Sequence, residues 1–141
     1  MVGRVKIVVI QNLIQLIKEK ISKYPSLPIE ETNNSLIIKT LLNEGFDISI
    51  YFDKKEVTIF YEGWHEHFQL DDIENILSCI MFGLSDKCRI KIISRRNSDC
   101  IWTLEAFENN KWIEYDSTGL IFCCWWCKKN IRYLQNKIIK E

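Results

Sequence analysis

Apolar and polar residues alternate through three neighbouring segments of the chain, which are residues 87–95, 99–108 and 111–117. In the first segment, Cys88, Ile90 and Ile92 fall on one face and basic side chains fall on the other. This period of two is typical of a half-buried strand, and the next two segments repeat it. The pattern predicts a three-strand antiparallel meander with a single apolar face.

The connecting turns set the predicted register of this meander. A loop at residues 97–99 joins the first two strands and places Ile92 opposite Leu104. A slip of one residue would turn every apolar side chain to the other face. An Asn-Asn turn at residues 109–110 joins the last two strands, because asparagine tolerates a positive φ, and it places Leu104 opposite Tyr115.

The polar face of the meander is the surface site that the sequence favours. Its candidate partner-binding residues are Arg89, Lys91, Glu105, Phe107, Trp112 and Glu114. The predicted register puts Arg89 in one cross-strand row with Phe107 and Trp112, and an arginine stacked on aromatic rings is common at protein interfaces. The alternative is that the charges pair across the strands while helices or the C-terminal segment cover the two rings.

The other elements follow from apolar spacing. Residues 8–23, 35–45, 72–83 and 128–140 carry apolar side chains at helical intervals and predict four helices. A polar connection that contains Pro25 and Pro28 separates the first two helices. Residues 47–52 and 56–62 predict a hairpin, in which a Lys-Lys turn sets Ile50 opposite Ile59.

The resulting fold prediction is α+β, with a single domain over residues 1–141. The hairpin and the meander form an antiparallel sheet, and the helices pack on one face of it. The chain carries 19 basic and 19 acidic residues. This balance disfavours nucleic acid or an anionic membrane as a partner for the whole molecule.

Apolar runs and cysteine content indicate the cellular location of the protein. The N-terminal segment lacks the features of a secretory signal, and the apolar run at residues 120–127 spans eight residues, too few to cross a bilayer. We therefore expect a cytoplasmic protein without integral membrane insertion. In that setting the six cysteines are expected to be free thiols, several of them buried as small apolar side chains.

A zinc site is one alternative use of the cysteines. His65, His67, Cys124 and Cys127 together have the composition of a tetrahedral Cys2His2 site, and two histidines two residues apart on a strand share a face. Nothing in the spacing shows that the two halves meet, and two tryptophans between the thiols do not favour a zinc knuckle. We expect an exposed or hydrogen-bonded pair of histidines and no cofactor, with zinc as the alternative.

Enzyme chemistry would need one of the cysteines beside His65 or His67 as its base. That pair suffices for acyl transfer only if a cleft brings them within hydrogen-bond reach. No catalytic motif surrounds any cysteine. Trp125 and Trp126, which lie between Cys124 and Cys127 and precede a basic C-terminal segment, are instead candidates for a partner-binding patch.

The sequence therefore favours a small non-enzymatic protein that binds another protein, of an accessory, immunity or inhibitor type. The first alternative is a metal- or thiol-dependent enzyme that uses His65, His67 and the 123–127 cysteine cluster. The second is an RNA-associated module that uses the basic side chains of residues 87–95. A homo-oligomer is compatible with the sequence, which does not identify the partner.

Overall fold

The computed structural model describes residues 2–24, 27–40, 42–120 and 123–140. Pro25 lies outside the described residues, as do residues 121–122 of the apolar run. The elements in chain order are α1 (Val2–Ile21), β1 (Ile29–Glu31), β2 (Ser35–Ile38), β3 (Ile48–Phe52), β4 (Glu56–Tyr61), β5 (Trp64–Gln69), α2 (Ile73–Leu84), β6 (Cys88–Arg95), β7 (Ser98–Glu108), β8 (Lys111–Gly119) and β9 (Lys129–Leu134).

The strands form two antiparallel sheets, so the fold is α+β and mostly strand. The first sheet has the order β1-β2-β3-β4-β5, and the second has the order β8-β7-β6-β9. The prediction of one sheet built from hairpin and meander is wrong, because each of these units recruits other strands. The hairpin gains strands at both of its edges, and the meander gains β9 at the free edge of β6.

The predicted hairpin is confirmed within the first sheet. Ile50 lies opposite Ile59, and Phe52 lies opposite Val57. All four side chains are buried. Alternating branched residues on a pleated strand place their side chains on one face, which is why the register could be read from the pattern.

The predicted helix at residues 35–45 is wrong. Residues 35–38 are β2, which pairs with β3 so that Leu36 lies opposite Ile50 and Ile38 lies opposite Ile48. A short apolar run fits the helical and the strand period alike. Ile37 and Ile38 favour the strand because branching at Cβ restricts χ1 in a helix.

The predicted helix at residues 128–140 is also wrong. Lys129–Leu134 forms β9, which pairs with β6 along its whole length and sets Tyr133 beside Lys91. The free edge of β6 offers a row of unpaired backbone groups, and pairing with them outweighs a weak helical preference. The predicted helices at 8–23 and 72–83 are confirmed as α1 and α2.

A β-bulge changes the predicted register between β6 and β7. The turn consists of Arg96 and Asn97, whose φ angles are 52° and 64°, so the loop is shorter than predicted. The register shifts at Ile93, where Cys100 is left without an opposite residue. The apolar residues of both strands therefore keep the sheet face that the pattern predicts. The opposite residues differ, because Ile92 lies opposite Trp102 and not opposite Leu104.

A second bulge lies between β7 and β8. The predicted Asn-Asn turn is confirmed, with φ of 53° and 64° at Asn109 and Asn110. Glu105 lies opposite Glu114, but Leu104 lies opposite Asp116, so Tyr115 is the extra residue. The bulge turns Asp116 toward the apolar side of the sheet, where the predicted register had placed Tyr115.

A single apolar cluster joins both sheets and both helices. It includes Leu13 and Ile17 of α1, Ile76 of α2 and Ile90 of β6. Helix α2 contacts β4 and β6, which belong to different sheets, and α1 contacts α2. The packing of both helices on one sheet face stays a prediction. None of the described helices is long and apolar enough to cross a membrane.

Buried polar contacts connect the C-terminal segment to the rest of the core. The side chain of Asn136 is buried, and its Oδ1 accepts a hydrogen bond from the Phe46 backbone N–H at 2.9 Å. Its Nδ2 donates to the carbonyl of Gly83 at 3.0 Å. Gly83 itself packs against Tyr61, because a Cβ at that position would lie 2.7 Å from the ring. These contacts hold β9 and α2 in fixed positions.

Candidate functional site

The outer face of the second sheet is the face opposite the apolar cluster, and it carries all six residues predicted on the meander. Strand β9 adds Tyr133 to the same face, because Tyr133 pairs with Lys91. The outer face includes Lys87, Arg89, Lys91, Arg95, Glu105, Phe107, Trp112, Glu114, Lys129 and Tyr133.

Arg89 lies at the centre of this face between two aromatic rings. Its guanidinium carbon is 4.2 Å from the ring centroid of Trp112 and 4.0 Å from that of Tyr133. Its Nε donates to Oε1 of Glu105 at 2.6 Å. Arg89, Glu105, Trp112 and Tyr133 are called the arginine-aromatic cluster below.

The β-bulge at Cys100 explains the geometry of this cluster. It sets Arg89 directly opposite Glu105, whereas the predicted register had put Arg89 in the row of Phe107 and Trp112. Glu105 is only 4% exposed, and the Arg89 side chain is 22% exposed. A carboxylate at this depth needs a charged partner, so Arg89 is held from one side by the ion pair and on both faces by rings.

Beside the cluster, the side chain of Glu114 is more exposed, at 58%. Lys91 Nζ donates to Glu114 Oε1 at 3.0 Å, and this hydrogen bond raises the pKa of Lys91. Exposed pairs of this kind contribute less than about 1 kcal/mol. The rings of Phe107 and Trp112 lie 5.2 Å apart, and Lys87 Nζ is 4.9 Å from the centroid of Phe107. Both rings are half-buried, and Tyr133 is 44% exposed.

The outer face carries a surplus of positive charge. Among its residues named above, the basic ones are Lys87, Arg89, Lys91, Arg95 and Lys129, and the acidic ones are Glu105 and Glu114. The whole chain is neutral by comparison, with 19 residues of each sign. The surplus is therefore local to this face, where it would attract an acidic surface.

The Trp125 and Trp126 turn lies at one end of the outer face. Arg95 Nη1 donates to the carbonyl of Cys127 at 2.7 Å, and its guanidinium carbon is 5.6 Å from the ring centroid of Trp125. Trp126 is 85% exposed. The turn adds exposed aromatic surface next to the basic strand.

Two disulfides shape this turn, and the prediction that the cysteines are free thiols is wrong for four of the six. Cys100 is bonded to Cys123, and Cys124 is bonded to Cys127. Only Cys79 and Cys88 carry free thiols. The Leu120 backbone N–H donates to the carbonyl of Cys100 at 2.8 Å, which places the segment that follows β8 beside Cys100. The alternating pattern could not indicate this contact.

The predicted zinc ligands fall in different environments. His65 and His67 lie on β5 of the first sheet with ring centroids 5.2 Å apart, and His67 Nδ1 is 2.9 Å from Oγ1 of Thr58. Cys124 and Cys127 have their sulfurs bonded to each other in the turn after β8. Within the described ranges, no three His, Cys, Asp or Glu side chains are grouped as a metal site.

Of the two free thiols, Cys88 is buried and Cys79 is partly buried. Burial raises the pKa of Cys79 to about 11, and burial also raises the pKa of Cys88. Both thiols are therefore protonated at neutral pH. Since the thiolate is the nucleophilic form, neither thiol is activated in this environment.

Sequence reasoning missed Tyr133 as a site residue, because it assigned residues 128–140 to a helix. A signal was present: Ile131 and Tyr133, one β-branched and one aromatic, alternate with Asn130 and Arg132. Sequence reasoning also missed the Arg89–Glu105 pair, which depends on the bulge at Cys100.

Neither the protein-family models, nor the curated proteins, nor the solved structures contain a match to this chain. A fold alone would not assign a function in any case, because one fold supports many functions. The side chains of the outer face are therefore what point to a function.

Proposed function

We propose that this protein binds another protein through the outer face of its second sheet, as an accessory, immunity or inhibitor protein without an enzymatic role. The observation that carries the proposal is the position of Arg89, which is stacked between Trp112 and Tyr133 and paired with a buried Glu105.

This arrangement has the composition of a binding hot spot. Tryptophan, tyrosine and arginine are enriched among the few interface residues that carry most of the binding free energy. A long arginine side chain normally loses rotamer entropy when it binds. Here Arg89 is already held by two rings and a carboxylate, so much of that loss has occurred before a partner arrives.

The partner that fits this face has an acidic surface with apolar side chains. Positive charge lies beside the arginine-aromatic cluster at Lys87 and Lys91 and continues along the face to Lys129, which would steer an acidic partner toward it. The exposed Tyr133 and the Trp125 and Trp126 turn offer apolar contact next to these charges. The proposal takes both helices to lie on the inner side of the sheets, so that the outer face is left to the partner.

The disulfides bear on where this binding takes place. Disulfides persist mainly in oxidising compartments. The bonds Cys100–Cys123 and Cys124–Cys127 therefore favour an oxidising setting over the predicted cytoplasmic location.

Truncating two aromatic rings of the outer face tests the proposal. We expect Trp112→Ala with Phe107→Ala to weaken partner capture by more than about tenfold, because truncating hot-spot residues costs about 2 kcal/mol or more. The partner is first recovered from source-cell lysate on the immobilised wild-type protein, then purified and titrated by calorimetry. Tyr51→Ala is the matched control, since Tyr51 is an exposed aromatic residue on β3 of the first sheet, and it should leave the affinity unchanged.

Four outcomes would contradict this proposal. The double variant could bind as tightly as the wild type, or Tyr51→Ala could weaken binding equally. A double variant that loses its circular dichroism spectrum would show that the rings belong to the core. Capture of RNA alone, with affinity falling steeply as salt rises, would favour the RNA-associated alternative.

A further inference from the structure

A cleft of about 690 Å³ opens between the two sheets, on the side of the second sheet opposite the outer face. It is called the inter-sheet cleft below. Small-molecule sites commonly have volumes of about 300 to 1,000 Å³, so the cleft has the size of a ligand site. Its lining residues come from the end of β4, from β5, from one side of α2 and from the inner face of β7 and β8.

Most of the wall is apolar. Strand alternation turns Trp64 and Phe68 of β5 toward the cleft, and Leu104 and Ala106 of β7 face them. The two sides are tied together where Trp64 Nε1 donates to Oδ2 of Asp116 at 3.2 Å. This contact exists because the second bulge turns Asp116 inward.

The charges at the cleft have a single sign. Among the described residues that line it, every ionised side chain is acidic, namely Glu66, Glu108 and Asp116. The hydroxyl of Tyr115 donates to Glu108 at the mouth. An anionic ligand would be repelled by these carboxylates, whereas a cation would be attracted.

We propose that the inter-sheet cleft binds a small amphipathic amine. Its apolar body lies against Trp64, Phe68 and Leu104, and its ammonium group lies at the acidic mouth near Glu66. This site is separate from the protein-binding surface, because the two lie on opposite faces of the second sheet.

Three probes with the same chain and different head groups test the assignment. Decylammonium, decanoate and decanol are each titrated, below their aggregation concentrations, into ¹⁵N-labelled protein and followed by amide chemical shifts. We expect decylammonium to shift the amides of β5, α2 and β7, and to bind about tenfold more tightly than decanoate, because its charge is opposite to that of the mouth. Decanol should bind with intermediate affinity. Rising salt should reduce the differences in affinity among the three probes, because it screens their charges.

Matched variants then locate the site. Glu66→Gln should weaken decylammonium binding about two- to fivefold, the range for an exposed ion pair. Ser78→Phe, at an exposed position of α2 on the cleft wall, should block binding while the amide spectrum of the core is retained. Glu114→Gln removes a carboxylate from the outer face of β8 and should leave binding unchanged.

The proposal is overturned if decanoate binds as tightly as decylammonium, or if Glu114→Gln has the same effect as Glu66→Gln. It is also overturned if the shifts fall on the exposed apolar residues of α1, which include Ile7 and Val8. The amine-binding proposal and the proposed function can each fail without the other. The variant with Trp112→Ala and Phe107→Ala should bind decylammonium as the wild type does, and Ser78→Phe should bind the protein partner as the wild type does.

Discussion

Replacing Arg89 with alanine is expected to lower the free energy of unfolding by about 3 to 5 kcal/mol. Glu105 is buried, and its Oε1 is 2.6 Å from Arg89 Nε. The substitution would leave this carboxylate in the sheet without its charged partner. It would also remove the side chain that fills the space between Trp112 and Tyr133.

Lys91→Ala is the matched control, because Lys91 lies two residues away on the same face and pairs with the exposed Glu114. This substitution should lower the free energy of unfolding by less than about 1 kcal/mol. The double variant with Arg89→Met and Glu105→Leu should regain most of the stability, since removing both charges leaves none unpaired. Urea unfolding, followed at an unchanged m-value, measures all three.

Equal costs for Arg89→Ala and Lys91→Ala would contradict this explanation. That result would mean that Glu105 reaches water once Arg89 is shortened. The stability of the second sheet would then not depend on the arginine-aromatic cluster.

Removing the Cys100–Cys123 disulfide is expected to have the second large effect. It should lower the free energy of unfolding by about 3 kcal/mol. The bond closes a loop with a sequence separation of 23, whereas Cys124–Cys127 closes one of 3. Longer loops lose more entropy in the unfolded state when they are closed. Cys100→Ala with Cys123→Ala should therefore destabilise the protein more than Cys124→Ala with Cys127→Ala, which should cost about 2 kcal/mol.

Urea unfolding of both variants, compared with wild-type protein in dithiothreitol, measures this difference. The reduced wild type should be at least as unstable as either variant. Thiol alkylation of the denatured, unreduced wild type should label two residues, Cys79 and Cys88. Labelling of all six cysteines would contradict the disulfide assignment.

The predictable parts of this fold are those that depend only on the alternation of side chains between the two faces of a strand. The β3–β4 register was predictable because a short turn leaves a single pairing with Ile50 and Ile59 on the same buried face. The membership of the outer face was predictable for the same reason. Arg89, Phe107 and Trp112 share a face in any register that keeps the apolar residues together.

The parts that could not be predicted depend on the position of an extra residue or on tertiary pairing. A bulge keeps the faces of a strand while it changes which residues are opposite, and no composition signal marks Cys100 or Tyr115 as the bulged residues. Strands β2 and β9 were predicted as helices because their short apolar runs fit both periods. Their pairing with β3 and β6 decides the outcome.

The candidate site contains features that could be predicted from the sequence and features that could not. The faces of the strands indicated six of its residues, whereas the ion pair between Arg89 and Glu105 follows from a bulge and the contact with Tyr133 follows from β9. The local pattern therefore indicated where the site lies, and the tertiary pairing determines how its side chains are held.

The most direct test of the central claim is the position of the Arg89 side chain in the free protein. A ¹⁵N-edited NOESY experiment on its Nε–H group measures which protons lie close to it. We predict cross-peaks from this group to the ring protons of both Trp112 and Tyr133, and slow exchange of the Nε–H proton with water, because Nε donates to Glu105. A rapidly exchanging Nε–H without cross-peaks to either ring would contradict the claim that the binding surface is organised before a partner arrives.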